Sequence, residues 1–329
     1  MAEFNLRKIL VIRFSSIGDI ILTTPVIRVL ASRYPEAQIH FVTKQNFAAL
    51  ASENKRLYKV HVFANDIGEV LEDLKSEKFD LVVDLHKNLR SYRLKRQLKV
   101  PALSFDKINL QKFMAVNFKM LNLLPDKHII DRYFEGLAPL EIKPDNERLE
   151  FYIPHKDQVN CATVFFNGQS SVKFIALVVG GSYYTKKIPV NKLQEICRLS
   201  KVPVVVLGGK EDKGIGDDLK KDFPQIINTC GTLSVSQSGS VIQQAEWVIT
   251  SDTGMMHIAA AFGKTIFSAW GNTIPEFGMY PYKPVLGNKI LEVKGLPCRP
   301  CSKLGYGSCP LGHFKCMNDI DYSFVADLC

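Results

Sequence analysis

"RFSSIGDIILTTPV", Arg13 to Val26, decides how the first half of the chain is read. A strand-like run from Lys8 to Phe14 breaks at two serines, a glycine and an acid, and an apolar helix-like stretch follows. A strand-to-helix connection needs a turn residue and a cap, and Gly18 and Asp19 can supply them. Asp19 also has a chemical reading, because a carboxylate at the carboxyl end of a strand can take a proton from a bound hydroxyl. Ser15 and Ser16 either cap the helix or bind an acceptor.

Outward from this stretch the pattern repeats. "QIHFVTK", "KVHVFA" and "FDLVVDLH" are strand-like, with helical spacing of apolar residues between them. Strands apolar on both faces in βαβα order predict a parallel sheet covered by helices. A second series, "FIALVVG", "VPVVVLGG", "IINTCG", "WVITSD" and "KTIFSAWG", begins near Lys173. The expected fold is therefore α/β, two Rossmann-like doubly wound domains facing a cleft, with boundaries at 1–160 and 161–329. Ligands of such sheets bind at the carboxyl ends of the strands.

The chain has 329 residues, 46% hydrophobic and 23% charged, which reads as globular. No apolar run reaches the length of a membrane span, and the start lacks a signal-peptide layout, so a cytoplasmic protein is expected. The formal charge is +9, and "HKNLRSYRLKRQLK", His86 to Lys99, carries six Lys and Arg and no acid. That stretch is either a solvated helix face or a surface for an anionic partner such as a glycolipid or membrane headgroups.

Three stretches of the second half carry candidate chemistry. In "SDTGMMHIAAAFGKTIFSAWGNT" a strand ends at Asp252, Thr253 and Gly254 make a turn, and an Ala-rich helix begins with His257 in its first turn. A helix start of this kind suits a diphosphate, and Gly271 to Thr273 can line the same pocket. In "GGSYYTKKIP", Gly181 allows close backbone approach and Thr185, Lys186 and Lys187 can meet phosphate oxygens. In "LGGKED", Glu211 is placed either to accept from ribose hydroxyls or to cap a helix. Neither half holds a G-x-G-x-x-G fingerprint or a P-loop, which argues against a dehydrogenase and a kinase.

Together these stretches resemble the ADP-heptose:lipopolysaccharide heptosyltransferase family. "RFSSIGDIILTTPV" is similar to its N-terminal signature, "SDTGMMHIAAAFGKTIFSAWGNT" to its C-terminal one, and "TKKIP" to its Thr-Lys-Arg-Trp-Pro segment, with Ile188 in place of the tryptophan. The resemblance implies a glycosyltransferase-B fold and inverting, metal-independent transfer of heptose from ADP-heptose to a lipopolysaccharide inner-core acceptor, Kdo or heptose. It implies Asp19 as general base and Lys186 as the charge facing the departing diphosphate. Glu211 would hold the ribose, and Asp252, Thr253, Gly254 and His257 the diphosphate and sugar. Gly181, Thr185 and Lys187 complete the donor candidates. Ser15, Ser16, Lys87 and Arg90 are the acceptor candidates, the last two in a basic segment suited to an acidic sugar or phosphorylated core. The expected partners are a nucleotide sugar and an anionic glycolipid, with peripheral contact at the inner face of the cytoplasmic membrane and no nucleic acid.

The tail "CRPCSKLGYGSCPLGHFKC" gathers Cys298, Cys301, Cys309 and Cys316 near His313. The set reads as structural zinc ligands, a disulfide or redox-labile pair, or packed thiols, and no cofactor is required for the expected chemistry. Two other readings of the chain are another nucleotide-sugar transferase or epimerase of the same fold, and a nucleic-acid-binding protein using the basic stretch. The second is poorly supported, because Tyr92 is the one aromatic residue inside that stretch.

Overall fold

Runs of valine, isoleucine and leucine without polar alternation bury both faces of a strand, and both sheets form this way. The structure, a computed structural model, describes residues 6–329; the opening residues of the stretch read for a signal lie outside them. The first unit holds β1 (Lys8–Ile12), α1 (Ile17–Ile21), α2 (Thr24–Arg33), β2 (Gln38–Lys44), β3 (Lys59–Phe63), α3 (Leu71–Ser76), β4 (Leu81–Asp84), α4 (Leu89–Leu98) and β5 (Ala102–Ser104). Its strands are all parallel, in the order β3-β2-β1-β4-β5. The chain then makes α5 (Asn109–Phe118) and α6 (Ile129–Glu135).

The second unit has α7 (Cys161–Phe165), β6 (Ile175–Val178), α8 (Val190–Leu199), β7 (Val204–Leu207), α9 (Lys213–Asp222) and β8 (Ile227–Asn228). It continues through α10 (Val235–Gln244), β9 (Trp247–Ser251), α11 (Gly254–Ala261), β10 (Thr265–Trp270), β11 (Lys289–Glu292) and α12 (Lys315–Asn318). Its parallel order is β11-β10-β9-β6-β7-β8. In each sheet the first strand lies between two later ones, so the order reverses beside β1 in one and beside β6 in the other. Those reversal points are where open α/β sheets leave a crevice for ligands.

The units do not divide at residue 160. One comprises the residues up to Ile108 with Lys127–Tyr152, the other Asn109–Asp126 with Ile153–Cys329. The return segment stays with the first unit because Arg28 holds Asp145 through two nitrogens, at 2.5 and 2.9 Å, and the Arg148 carbonyl at 3.0 Å. Residues 109–126 go with the second because Ala115 is buried against Ile274 and Phe277. Lys119 Nζ also donates to the carbonyls of Cys298 and Pro300 at 3.3 and 2.7 Å.

The first unit also holds a polar relay that runs from two buried histidines to the surface. His40 Nδ1 lies 2.9 Å from His61 Nε2, and His61 Nδ1 lies 2.5 Å from Asp73. Lys59 binds both Asp73 and Glu77, and Lys8 binds Glu77. Burial, with the charges of His61, Lys8 and Lys59, pushes His40 down to about 4 against the pull of Glu77. Because the folded value lies below the ordinary 6.5, the unfolded chain takes up the proton first. The contribution of His40 to stability is therefore expected to be level above about pH 6.5, to fall toward about pH 4, and to level again. Urea midpoints across that range should show a shallower fall in His40→Gln; an unchanged slope would exclude His40 as the source.

Candidate active site

At the end of β1, Asp19 does the work of a helix start and more. One carboxylate oxygen accepts from the Ser16 backbone N–H at 3.1 Å and the Ser16 hydroxyl at 2.8 Å. The other lies 2.5 Å from Arg13 Nη2. Arg13 is buried, its Nε donating to the Ser15 carbonyl at 2.8 Å and its Nη1 to the Leu85 carbonyl and, at 3.5 Å, to the Tyr133 hydroxyl. Burial alone would raise the Asp19 pKa, but Arg13 and the Ser16 donors outweigh it and hold the carboxyl at about 2. The side chain keeps 21% of its surface exposed, so the ion is fixed yet reachable.

The end of β4 completes this corner. Asp84 is fully buried and accepts from the backbone of His86 and Lys87, the Ser91 hydroxyl and Lys95. Lys87 donates to the Phe105 carbonyl at 2.7 Å, and the Arg90 guanidinium lies 5.9 Å from the Phe14 ring centre. The basic stretch is thus partly spent on the fold, since Lys87, Arg90 and Lys95 all have partners. Arg93, Arg96 and Lys99 are exposed, with the Arg96 guanidinium 6.0 Å from the Tyr92 ring centre. His86 stacks obliquely on Phe14 with centres 4.8 Å apart, and burial together with the Arg13 charge pushes it down to about 3. It is a neutral imidazole beside Asp19.

In the second unit the reversal point lies between β6 and β9, and Gly181, Lys186, Asp252, Thr253, Gly254 and His257 gather there. Lys186 Nζ is 2.5 Å from Asp252 Oδ2, and the Thr273 hydroxyl donates to the same oxygen at 2.8 Å. The turn containing Gly181 lies against the start of α11: a Cβ on that glycine would stand 3.5 Å from the Thr253 methyl. Thr253 caps α11 by position without a side-chain capping bond, its hydroxyl 3.2 Å from that of Thr250. Gly254 opens the helix, and His257 is buried in its first turn. Glu211 is exposed in a short 3₁₀ turn after β7.

Two expected phosphate donors are committed elsewhere. The Thr185 hydroxyl accepts the Tyr306 N–H at 2.8 Å, and its own N–H donates to the Tyr306 carbonyl at 3.2 Å, so the threonine anchors the tail. Lys187 pairs at 2.6 Å with Asp212, whose side chain is fully buried. Gly180 must be glycine here, since a Cβ would come within 2.7 Å of that carboxylate.

Sequence reasoning missed how the tail serves this site. Arg299, buried, donates through Nε to the Gly271 carbonyl at 2.7 Å, and through Nη2 to those of Trp270 and Thr273, each at 3.1 Å. The Cys301 N–H donates to the Asn272 carbonyl at 3.2 Å. Four consecutive carbonyls, from the last residue of β10 onward, are therefore gripped by residues 299–301. Met317 of α12 fills the space over Gly271, where a Cβ would lie 2.7 Å from its side chain. The tail cysteines carry no disulfide. Nor are their sulfur atoms drawn to metal-ligand distances: among the described residues the group so gathered is His40, His61 and Glu77.

Arg299→Met would leave the carbonyls of Trp270, Gly271 and Thr273, and the Glu292 carboxylate, without the guanidinium. A loss of about 3–5 kcal/mol in urea unfolding is expected. Arg299→Lys should recover only part, because an ammonium cannot fork. Full recovery by lysine would reduce the clamp to a point charge.

The model of glycosyltransferase family 9 (heptosyltransferase) matches residues 67–305. The chain is 23% identical over 319 residues to lipopolysaccharide heptosyltransferase 1 of Pseudomonas aeruginosa, covering 90% of this chain and 86% of that protein. With lipooligosaccharide heptosyltransferase 2 of Haemophilus influenzae it shares 27% identity over 108 residues, 31% of this chain and only 30% of that protein. The structure of E. coli ADP-heptose LPS heptosyltransferase II superposes with a TM-score of 0.68 at 17% identity, covering 95% of this chain and 98% of that one, and shows the same fold. With a family match over most of its length, and with paired charges at the reversal points of two parallel sheets, the chain belongs to glycosyltransferase family 9 and is a glycosyltransferase.

Proposed function

We propose that this enzyme moves heptose from ADP-heptose to an inner-core lipopolysaccharide acceptor, Kdo or heptose, with inversion and without a catalytic metal. The observation that carries the reading is Lys186 on the partly exposed Asp252 carboxylate, at the reversal point of the second sheet and in reach of the Thr273 hydroxyl. The donor is proposed from the name of the E. coli relative and the acceptor from that of the Pseudomonas one.

In this reading the acceptor hydroxyl attacks the anomeric carbon as the bond to the diphosphate breaks. Its proton passes to Asp19 and then to solvent, and ADP departs with the extra negative charge. Lys186 supplies the opposing charge at that moment, with the Thr253–Gly254 helix start as a second source of donors. A carboxylate held at about 2 is a weak base. It suffices because the attacking oxygen becomes strongly acidic as its new bond forms, and Arg13 and Ser16 keep the carboxylate ionised and aimed. Arg90, Lys87 and neutral His86 line the acceptor side, with Ser15 and Ser16 at its edge. No described helix is long and apolar enough to cross a membrane. A cytoplasmic, membrane-peripheral placement is proposed on the outward-facing Arg93, Arg96 and Lys99. A different nucleotide sugar on the same fold is the second reading, favoured if ADP-heptose is refused.

Asp19→Asn, assayed in chelator with ADP-heptose and a heptose-deficient core lipid, should fold and bind ADP yet lose roughly 10²–10⁴ in turnover. In the wild type kcat/KM should show no acid limb from Asp19 above about pH 3, since it stays ionised there. Full turnover by the folded Asn variant would remove Asp19 as the base, and dependence of the wild type on added metal would overturn the metal-free reading.

A further inference from the structure

Residues 107–125, "KINLQKFMAVNFKMLNLLP", stand out from the rest of the surface. Of the ten residues of α5 only Ala115 is buried. Leu110 and Phe113, one turn apart, are 70% and 55% exposed, and Phe118, Met120, Leu121 and Leu123 continue the apolar surface beyond. Single exposed apolar side chains are ordinary, whereas six within fourteen residues form a patch that marks an interaction.

The patch is firmly mounted. Beneath it Ala115, Val116 and Leu124 pack on Ile274 and Phe277. Lys119 Nζ donates to the carbonyls of Val116, Cys298 and Pro300, and the Lys112 ammonium lies 5.5 Å over the Phe277 ring. Its charge has one sign: Lys107, Lys112 and Lys119 fall within it, and no acid occurs between Asp106 and Asp126. Exposed leucine and phenylalanine on a segment whose sequence carries lysines and no acid match an anionic bilayer interface, with acyl chains for the apolar groups and the segment's positive charge facing the headgroups. A second copy fits less well, because a two-fold contact would bring the same cations face to face.

We propose that Asn109–Leu123 is the segment that this protein inserts into an anionic membrane, placing Leu110, Phe113 and Phe118 at the headgroup level, a contact distinct from any charge attraction through Arg93, Arg96 and Lys99. The inference deepens the reading that the acceptor is lipid-anchored, and it rests on that reading for its purpose, though not for the contact itself.

The test is co-sedimentation of the full chain with phosphatidylcholine vesicles, with and without phosphatidylglycerol, in the absence of substrates. Wild type should bind the anionic vesicles, and the combined variant Leu110→Ser, Phe113→Ser, Phe118→Ser should bind roughly tenfold less or weaker. As an independent readout, Phe113→Trp should add a fluorescence that shifts to the blue on those vesicles. Equal binding by the triple variant, or an unshifted added emission from vesicle-bound Phe113→Trp, would overturn the proposal. So would a wild-type dimer that the triple variant dissolves, in the absence of vesicle binding. Turnover on a soluble deacylated core saccharide separates the two readings. The triple variant should match wild type there, while failure of wild type on that acceptor would count against the substrate assignment and leave the vesicle result standing.

Discussion

A carboxylate taken out of water costs several kcal/mol unless a cation and hydrogen-bond donors replace its hydration, and this chain places such carboxylates at the carboxyl ends of its strands. Asp84 meets Lys95, Asp212 meets Lys187, Asp19 meets Arg13 and Asp252 meets Lys186. The four are not equivalent. Asp84 and Asp212 have no exposed side-chain surface and act as buried knots that fix the loops around them. Asp19 and Asp252 keep 21% and 11% exposed, and each lies where the strand order of its sheet reverses. Full burial separates the carboxylates that hold the fold from those that keep a surface open to solvent.

The same requirement explains the tail. The loop after β10 carries Thr273 to Asp252, but a loop leaving a buried strand has carbonyls that must be paired. Arg299 and the Cys301 N–H take four of them in a row, and Tyr306 takes Thr185 next to Lys186. Both arms of the Lys186–Asp252–Thr273 contact are thereby tied to one segment. Phe314, Met317, Ile320 and Tyr322 pack into the core of the second unit. The tail is thus a structural brace, and burial within it raises the Cys301 and Cys316 thiols.

Much of this was legible in the sequence, because local signals carried it. The nine apolar runs became strands, and the motifs at Asp19 and Asp252 landed at the two reversal points. What escaped depended on distance along the chain. β5 and β11 have no buried residue, so no continuous apolar run announces them. Arg13 looks like one basic residue closing a strand, and its partners Leu85 and Tyr133 lie 72 and 120 residues away. In "TKK" three adjacent polar residues looked alike, yet Thr185 turns to the tail, Lys186 to Asp252 and Lys187 to Asp212. The domain boundary shifted because residues 109–126 are fastened by packing that no composition change marks.

The central claim is that Lys186, held ready by Asp252, is the charge that meets the donor diphosphate in place of a metal. Calorimetric titration of ADP in the presence of chelator, into wild type and Lys186→Met, tests it most directly. Tight binding to wild type and roughly ten- to hundredfold weaker binding to the variant are expected for loss of one charge-assisted contact. Equal affinity in the two proteins, or wild-type binding that appears only when a divalent cation is added, would contradict it.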